Sequence, residues 1–225
     1  MDTVAVHQFD IPARRMVETQ LRQRGIRDVR VLEAMRLVPR HEFVPEELVG
    51  AAYDDRPLPI GERETISQPY MVAAMTQAAG VSPGDKALEI GGGSGYQAAI
   101  LAHLGAKVFA VEINPRLAEE ARERLKRLGF TNVEVVAGDG SEGLPAHAPY
   151  DLIIVSAAAP CLSPLLLNQL ADGGRLLAPV GDLYHQDLLL LSKQGKEITT
   201  HRLDPCQFVP LIGKGGWPTA KYGRP

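Results

Sequence analysis

Cysteine, net charge and long apolar runs are all scarce in this 225-residue chain. Cys161 and Cys206 stand far apart with no C-x-x-C spacing, which argues against a disulfide framework and a thiolate metal centre. The histidines are scattered without ligand spacing, so no metal site is expected. A formal net charge of −3 provides no general basic face, which argues against bulk nucleic-acid binding. The longest apolar runs, such as Leu152–Val155 and Leu188–Leu191, fall far short of the roughly 20 residues that span a bilayer. The opening Met-Asp has no basic segment leading into an apolar one, so a secretory signal is not expected. These readings point to a cytoplasmic protein with neither nucleic-acid nor membrane partners. With 45% hydrophobic and 23% charged residues, one core is sustainable, and one domain with appendages follows. There is no internal repeat and no low-complexity segment.

Glycine, by contrast, is concentrated where it matters. In Lys86–Tyr96, KALEIGGGSGY, a short apolar strand runs into Gly91, Gly93 and Gly95 at alternating positions. A helix-competent run, Gln97 to Leu104, follows. Strand, Gly-rich turn and helix form the first βα unit of a nucleotide-binding sheet. The glycines let backbone approach a ligand that a Cβ would exclude, and the amides of the helix start face it. Glu112 closes the next apolar strand, where it can accept hydrogen bonds from a ribose. The spacing is not the G-x-G-x-x-G of dinucleotide sites. Glu89 at the strand end suits a ligand with an amine and would repel a pyrophosphate. S-adenosylmethionine carries an amine and a ribose and no phosphate.

The rest of the chain supports this reading. Ala13–Arg24 predicts a helix stopped by Gly25, and Asp28 caps a second helix that ends before Pro39. Tyr53 to Glu64 reads as a long, proline-stiffened loop, a candidate lid. The unit Thr65–Tyr70 opens a helix that runs to Ala79, with Pro69 near its first turn, and spacing alone makes Ser67 its cap. From Lys86 to Val180, strands (Lys86–Ile90, Lys107–Val111, Val133–Ala137, Leu152–Ser156, Arg175–Val180) alternate with helices (Gln97–Leu104, Pro115–Leu128, and one near Pro164–Leu170). That alternation predicts a parallel sheet covered on both faces. Leu188–Leu191 and Glu197–Leu203, joined by a turn at Lys193–Lys196, read as a hairpin that gives the sheet a mixed edge. The fold expected is α/β: a Rossmann-like sheet, mostly parallel with an antiparallel strand at one edge, and an N-terminal helical extension. Residues 1–80 form the helical and lid segment, 81–213 the core, and 214–225 a Gly- and Pro-rich tail.

Ligands in such sheets bind beyond the carboxyl ends of the strands. Glu89–Gly95, with Ser94 in the turn, follows the first strand, Glu112-Ile113 the second and Asp139-Gly140 the third. Asp139 could accept the amine of an adenine. The fourth strand ends Val155-Ser156-Ala157-Ala158-Ala159-Pro160, where a flipped base would find little to hydrogen-bond, so nucleic-acid methylation is disfavoured. On the residues alone, a methyltransferase acting on another carboxylate or a small molecule, a donor-binding module without turnover, and a nicotinamide enzyme remain as alternatives.

Two segments, Gly61–Ala74 (GERETISQPYMVAA) and Ala87–Ala99 (ALEIGGGSGYQAA), carry a specific resemblance. With Phe43-Val44-Pro45, Tyr150–Pro160, Gly173–Gly181 and Phe208-Val209-Pro210-Leu211, they resemble the protein-L-isoaspartate O-methyltransferases over about residues 12–217. The resemblance implies S-adenosylmethionine as donor, S-adenosylhomocysteine as product, and isoaspartyl residues of damaged proteins and peptides as acceptors, on a protein taken to be monomeric. It places Ser67 as the catalytic or substrate-orienting hydroxyl. Glu89, Gly91, Gly93, Ser94, Gly95, Glu112, Ile113, Asp139 and Gly140 fall at the donor, and Ile66, Ser67, Gln68 and Val209 along the acceptor groove. This chain departs from the family at Gly61-Glu62-Arg63-Glu64-Thr65, where G-x-G-Q-T is common, and at Gly92, where threonine or another small polar residue is common.

Overall fold

The alternating apolar segments build a seven-stranded sheet in the computed structural model, which describes residues 3–218, with side chains from Phe9 onward. The strands are β3 (Lys86–Ile90), β4 (Lys107–Glu112), β5 (Val133–Ala137), β6 (Tyr150–Val155), β7 (Leu170–Gly181), β8 (Gln186–Gln194) and β9 (Glu197–Cys206). Their spatial order is β5-β4-β3-β6-β7-β8-β9. The first five run parallel; β8 is antiparallel to both β7 and β9, which makes the far edge mixed. Chain order reverses between β3 and β6. A crevice therefore opens beyond the carboxyl ends of those two strands, and ligands of open α/β sheets lie in such a crevice.

Side-chain alternation along the central strands divides the core between the two faces of the sheet. Ala87, Val108, Leu152 and Ile154 pack on one face, and Leu88, Ile90, Val111, Ile153 and Val155 on the other. Leu88, Ile90, Ile153 and Val155 are each at most 1% exposed, and burying each contributes about 1.5–3 kcal/mol. Glu89 shares the first face with Ala87. That face is covered by α4 (Tyr96–His103) and α5 (Pro115–Arg127), and also by the N-terminal helices α1 (Thr3–Met16) and α2 (Val29–Leu37). Met16, Met35 and Phe43 belong to the same apolar cluster as Ala98, Leu101 and Leu152, so the N-terminal segment and the sheet share one core.

Most element boundaries follow the sequence pattern, and the departures have physical causes. The first helix starts at Thr3 and runs through Pro12, then continues as a wide π turn, Val17–Leu21, and a short tight turn, Arg22–Arg24, before Gly25 stops it at φ 97°. Asp28 caps α2 by accepting from Arg30 N at 2.9 Å, as its position predicts. The expected loop from Tyr53 is not structureless. It folds into a hairpin of β1 (Leu58–Gly61) and β2 (Glu64–Ile66), with Leu58 paired to Ile66 and Glu62 and Arg63 at the tip. Strand β7 begins at Leu170 rather than Arg175, because residues 171–174 form an irregularity between the Tyr150–Leu170 and Leu152–Arg175 pairs. Helix α6 is accordingly shorter, Pro164–Asn168.

Ser67 is not the cap of α3 (Pro69–Ala79). Proline at the first helical position drives the preceding residue out of the helical region, so Gln68, at φ −51° and ψ 138°, occupies the cap. Ser67 lies one residue before that cap, directly after the end of β2, and its hydroxyl is not committed to helix amides. Residues 219–225 of the expected tail lie outside the described residues. Among the described residues, no helix is long and apolar enough to cross a membrane.

Candidate active site

The glycine turn after β3 is fixed by the neighbouring strand. Gly91 N and Gly92 N both donate to the Val111 carbonyl, at 2.9 and 3.1 Å, and Gly95 N closes the turn on Gly92 O at 2.8 Å. Gly91, Gly93 and Gly95 have φ of 84°, 49° and 86°, a region that favours glycine. Gly95 is also closely packed, since a Cβ there would lie 3.1 Å from Leu125 Cδ1. At Gly92 a Cβ would meet Ala110 at an ordinary 3.5 Å, so the departure from the family at that position is accommodated.

Two acids flank the turn with different partners. Glu112 is spanned by amides, with Gly93 N on one oxygen at 2.9 Å and Asn114 N on the other at 2.8 Å. Glu89 is 1% exposed; it receives Ser156 Oγ at 3.2 Å on Oε1, and its Oε2 is buried without a partner. Burial pushes its pKa up to about 8, the Ser156 bond opposes this, and the nearby Glu112 charge adds to the rise. A buried carboxyl oxygen lacking a donor beside a glycine cradle fits a ligand ammonium.

Asp139 stands differently from the expectation. Its Oδ1 accepts from Ser141 N and Oγ at 2.9 and 2.6 Å, and its Oδ2 accepts from Lys214 N at 2.9 Å. Burial pushes its pKa up, but these bonds bring it below the ordinary carboxylate value. The carboxylate thereby fastens the strap Leu211–Trp217 to the end of β5, and Gly140 faces the crevice in its place. Trp217, the single tryptophan, anchors the strap through Nε1 to Ala158 O at 3.1 Å.

Three cavities meet at Thr65 and Ser156. One, of about 30 Å³, is bounded by Ile66, Ser67, Glu89 and Gly91–Ser94. The second, of about 50 Å³, lies between Glu112, Ile113, Gly140 and the strap residues Leu211 and Ile212. The third is an open groove of about 1120 Å³ bordered by Ser67, Gln68, Tyr70, Tyr184 and Val209. Of the expected site residues, Ser67, Gln68 and Val209 therefore share the groove, whereas the Ile66 side chain is buried on the donor side. Gln68 also ties the chain back to Asp55, through bonds of 3.0 and 2.9 Å to its carbonyl and carboxylate. Thr65 is not singled out by the sequence pattern, and Ser156 stands there only in a strand end that offers a flipped base little to bond. The position of Ser156 at the carboxyl end of β6, beside the chain reversal, was the available signal.

The two inner cavities are far smaller than the ~300 Å³ of an ordinary small-molecule site. The β1–β2 hairpin closes them. Ile60 lies 3.4 Å from where a Cβ on Gly93 would stand, and Glu62 accepts from Asn114 Nδ2 at 3.1 Å and from Arg116 at 3.4 Å. Glu62 and Arg63 have φ of 54° and 62°, an uncommon conformation for residues with side chains. The lid expected over the acceptor thus rests on the donor turn and borders the groove with Pro57 and Thr65. Glu62→Ala is expected to speed both donor association and release several-fold, read by stopped-flow fluorescence of Trp217. Unchanged rates would show that the hairpin does not limit access.

A glycine cradle at the point of chain reversal, with a buried carboxylate where a dinucleotide site would need room for pyrophosphate, places the chain among the S-adenosylmethionine-dependent methyltransferases. Within that class it belongs to the protein-L-isoaspartate(D-aspartate) O-methyltransferase family, whose sequence model matches residues 13–216. It is 56% identical over 202 residues to a protein-L-isoaspartate O-methyltransferase of Methanoculleus marisnigri, covering 90% of this chain and 92% of that one. It is 52% identical over 213 residues to the one from Koribacter versatilis, covering 95% and 96%. Among solved structures, a protein-L-isoaspartate O-methyltransferase superposes with a TM-score of 0.80 at 30% identity, over 90% of this chain and 66% of that longer one. A Plasmodium falciparum structure in complex with S-adenosyl-L-homocysteine gives 0.77 at 27% identity, over 89% and 98%.

Proposed function

We infer that this enzyme transfers the methyl group of S-adenosylmethionine to the free α-carboxyl of L-isoaspartyl residues in damaged proteins and peptides, the step that initiates their return to normal aspartyl linkages. One observation carries the reading: an open groove of about 1120 Å³ reaches the donor cradle at Ser67, Thr65 and Ser156.

The bound donor supplies an electrophilic methyl on a sulfonium. Glu89 holds its amine, Glu112 its ribose, and Ile113 and Gly140 line the adenine end. Ser67 donates its hydroxyl to one oxygen of the acceptor carboxylate and leaves the other free to attack. No general base is needed, because a carboxylate above its pKa of about 4 is already the nucleophile. The protein's contribution is alignment, for which proximity can supply at best about 7–11 kcal/mol. Exclusion of water by the hairpin favours a step in which opposite charges are lost. Along the groove, Val209 O is already taken by Ala158 N at 2.7 Å and Phe208 N by Gln186 Oε1 at 2.8 Å. A substrate main chain would pair with the groups of Gln207–Pro210 that these bonds leave free, reading backbone rather than side chains.

In this reading residues 1–80 serve as lid and groove wall, 81–213 as the catalytic core, and 214–225 as a tail. The enzyme works as a monomer in the cytoplasm, without nucleic acid or membrane. The deciding experiment is labelled-methyl transfer to matched peptides differing only in isoaspartyl or normal aspartyl linkage. Label is expected only in the isoaspartyl peptide; equal labelling, or none in protein loaded with donor, would overturn the assignment.

A further inference from the structure

Arg40 is the largest side chain buried without exposure, and it has no carboxylate partner among the described residues. It lies in the short turn Arg40–Phe43, distant in sequence from the donor turn and the groove. Its Nε donates to Ala52 O at 2.8 Å and one terminal nitrogen to Ser67 O at 2.7 Å, while the other is buried with no hydrogen bond. The guanidinium sits 4.8 Å from the ring centroid of Tyr96, the residue that opens α4 directly after the glycine turn. Burial lowers its pKa, opposed by the tyrosines Tyr96 and Tyr53.

For stability alone this is a poor arrangement. A buried charge is costly unless paired, and an apolar side chain of similar volume commonly does as well or better. The two bonds to carbonyls explain what the cation does there. Ser67 falls between the last residue of β2 and the first turn of α3, where neither a strand ladder nor the helix holds its carbonyl. A planar guanidinium can span two separate carbonyls in one fixed plane, which an ammonium cannot.

We propose that Arg40 is the positioning residue for Ser67: it clamps the Ser67 and Ala52 carbonyls against the Tyr96 ring and so sets the direction of the Ser67 hydroxyl relative to the donor turn. The inference rests on the reading of Ser67 as the hydroxyl that orients the acceptor. Arg40 touches neither donor nor acceptor.

The test is a double-mutant cycle on full-length enzyme, with Arg40→Lys, Arg40→Met and Ser67→Ala alone and combined. The readouts are kcat and peptide KM from labelled-methyl transfer, and donor Kd from calorimetry. Arg40→Lys is expected to lower kcat at least about tenfold with donor Kd within about twofold, since donor contacts remain. In the Ser67→Ala background the same change should lower kcat by less than about twofold, because the groups act as one unit. Multiplying losses would overturn the inference, as would near-normal kcat in both Arg40 variants. Loss of donor binding in both Arg40 variants would also overturn it, by showing a role confined to the scaffold. A fully active Ser67→Ala enzyme would instead remove the reading of Ser67, and with it the route through which Arg40 acts.

Discussion

Replacing Ser67 with alanine is expected to lower kcat for isoaspartyl peptides about a hundredfold, the scale on which misplacement of a reacting group is felt, while donor Kd stays within about twofold. The expectation follows from where the residue lies. Its hydroxyl borders both the peptide groove and the small cavity containing Glu89, and no helix amide claims it. A capping serine replaced by alanine would cost about 1 kcal/mol of stability. Because Gln68 holds the cap position here, thermal stability should barely move. Activity loss without a Tm change is therefore the signature. A variant with near-normal kcat would mean that the acceptor carboxylate is oriented by main-chain groups alone.

Glu89→Gln should have the second large effect, with opposite signs for stability and binding. The ordinary glutamate value is 4.5, and burial in the donor-free protein raises that of Glu89 to about 8. Between those values the folded state holds a proton that the unfolded chain has released, so the Glu89 contribution to stability is greatest below pH 4.5 and is lost as pH rises towards 8. Glutamine keeps the shape and removes the titration. The variant should match the parent near pH 4.5 and melt on the order of 5–10 °C higher at pH 8, by the usual relation between free energy and Tm. Donor affinity should fall about 10- to 100-fold, the range for losing a hydrogen bond to a charged group. Binding of an ammonium to the parent should also expel the Glu89 proton below pH 8, visible as a buffer-dependent heat of binding. Identical pH slopes in parent and variant would show that Glu89 is not the buried acid responsible.

These two residues illustrate how unevenly the site was legible. Glu89 and the glycines announce themselves because a strand, a turn needing positive φ and a helix start are all local events. The motif therefore carries its geometry within about ten residues. Ser67 was visible only through its neighbours, and its expected capping role failed because Pro69 shifted the helix start by one residue. Asp139 was correctly placed at a strand end, yet a segment 75 residues later in the chain engaged its carboxylate. The proline-rich stretch before Thr65 read as loop because a four-residue and a three-residue strand are too short to show alternation.

The amino-acid sequence by itself determined the α/β class, the central parallel strands, the donor turn and the acids at the strand ends. Each is written in periodicity or in backbone conformations that few residues tolerate. Only the tertiary structure decided that the Glu62 tip closes on Asn114 across 52 residues, that Ser156 meets Glu89 across 67, and that Arg40 holds Ser67 across 27. Such contacts leave no local period, because each partner is an ordinary polar residue until folding removes water from around the pair. Burial then makes the choice of partner costly to change, which is why the chemistry of this site belongs to the fold as much as to the motif.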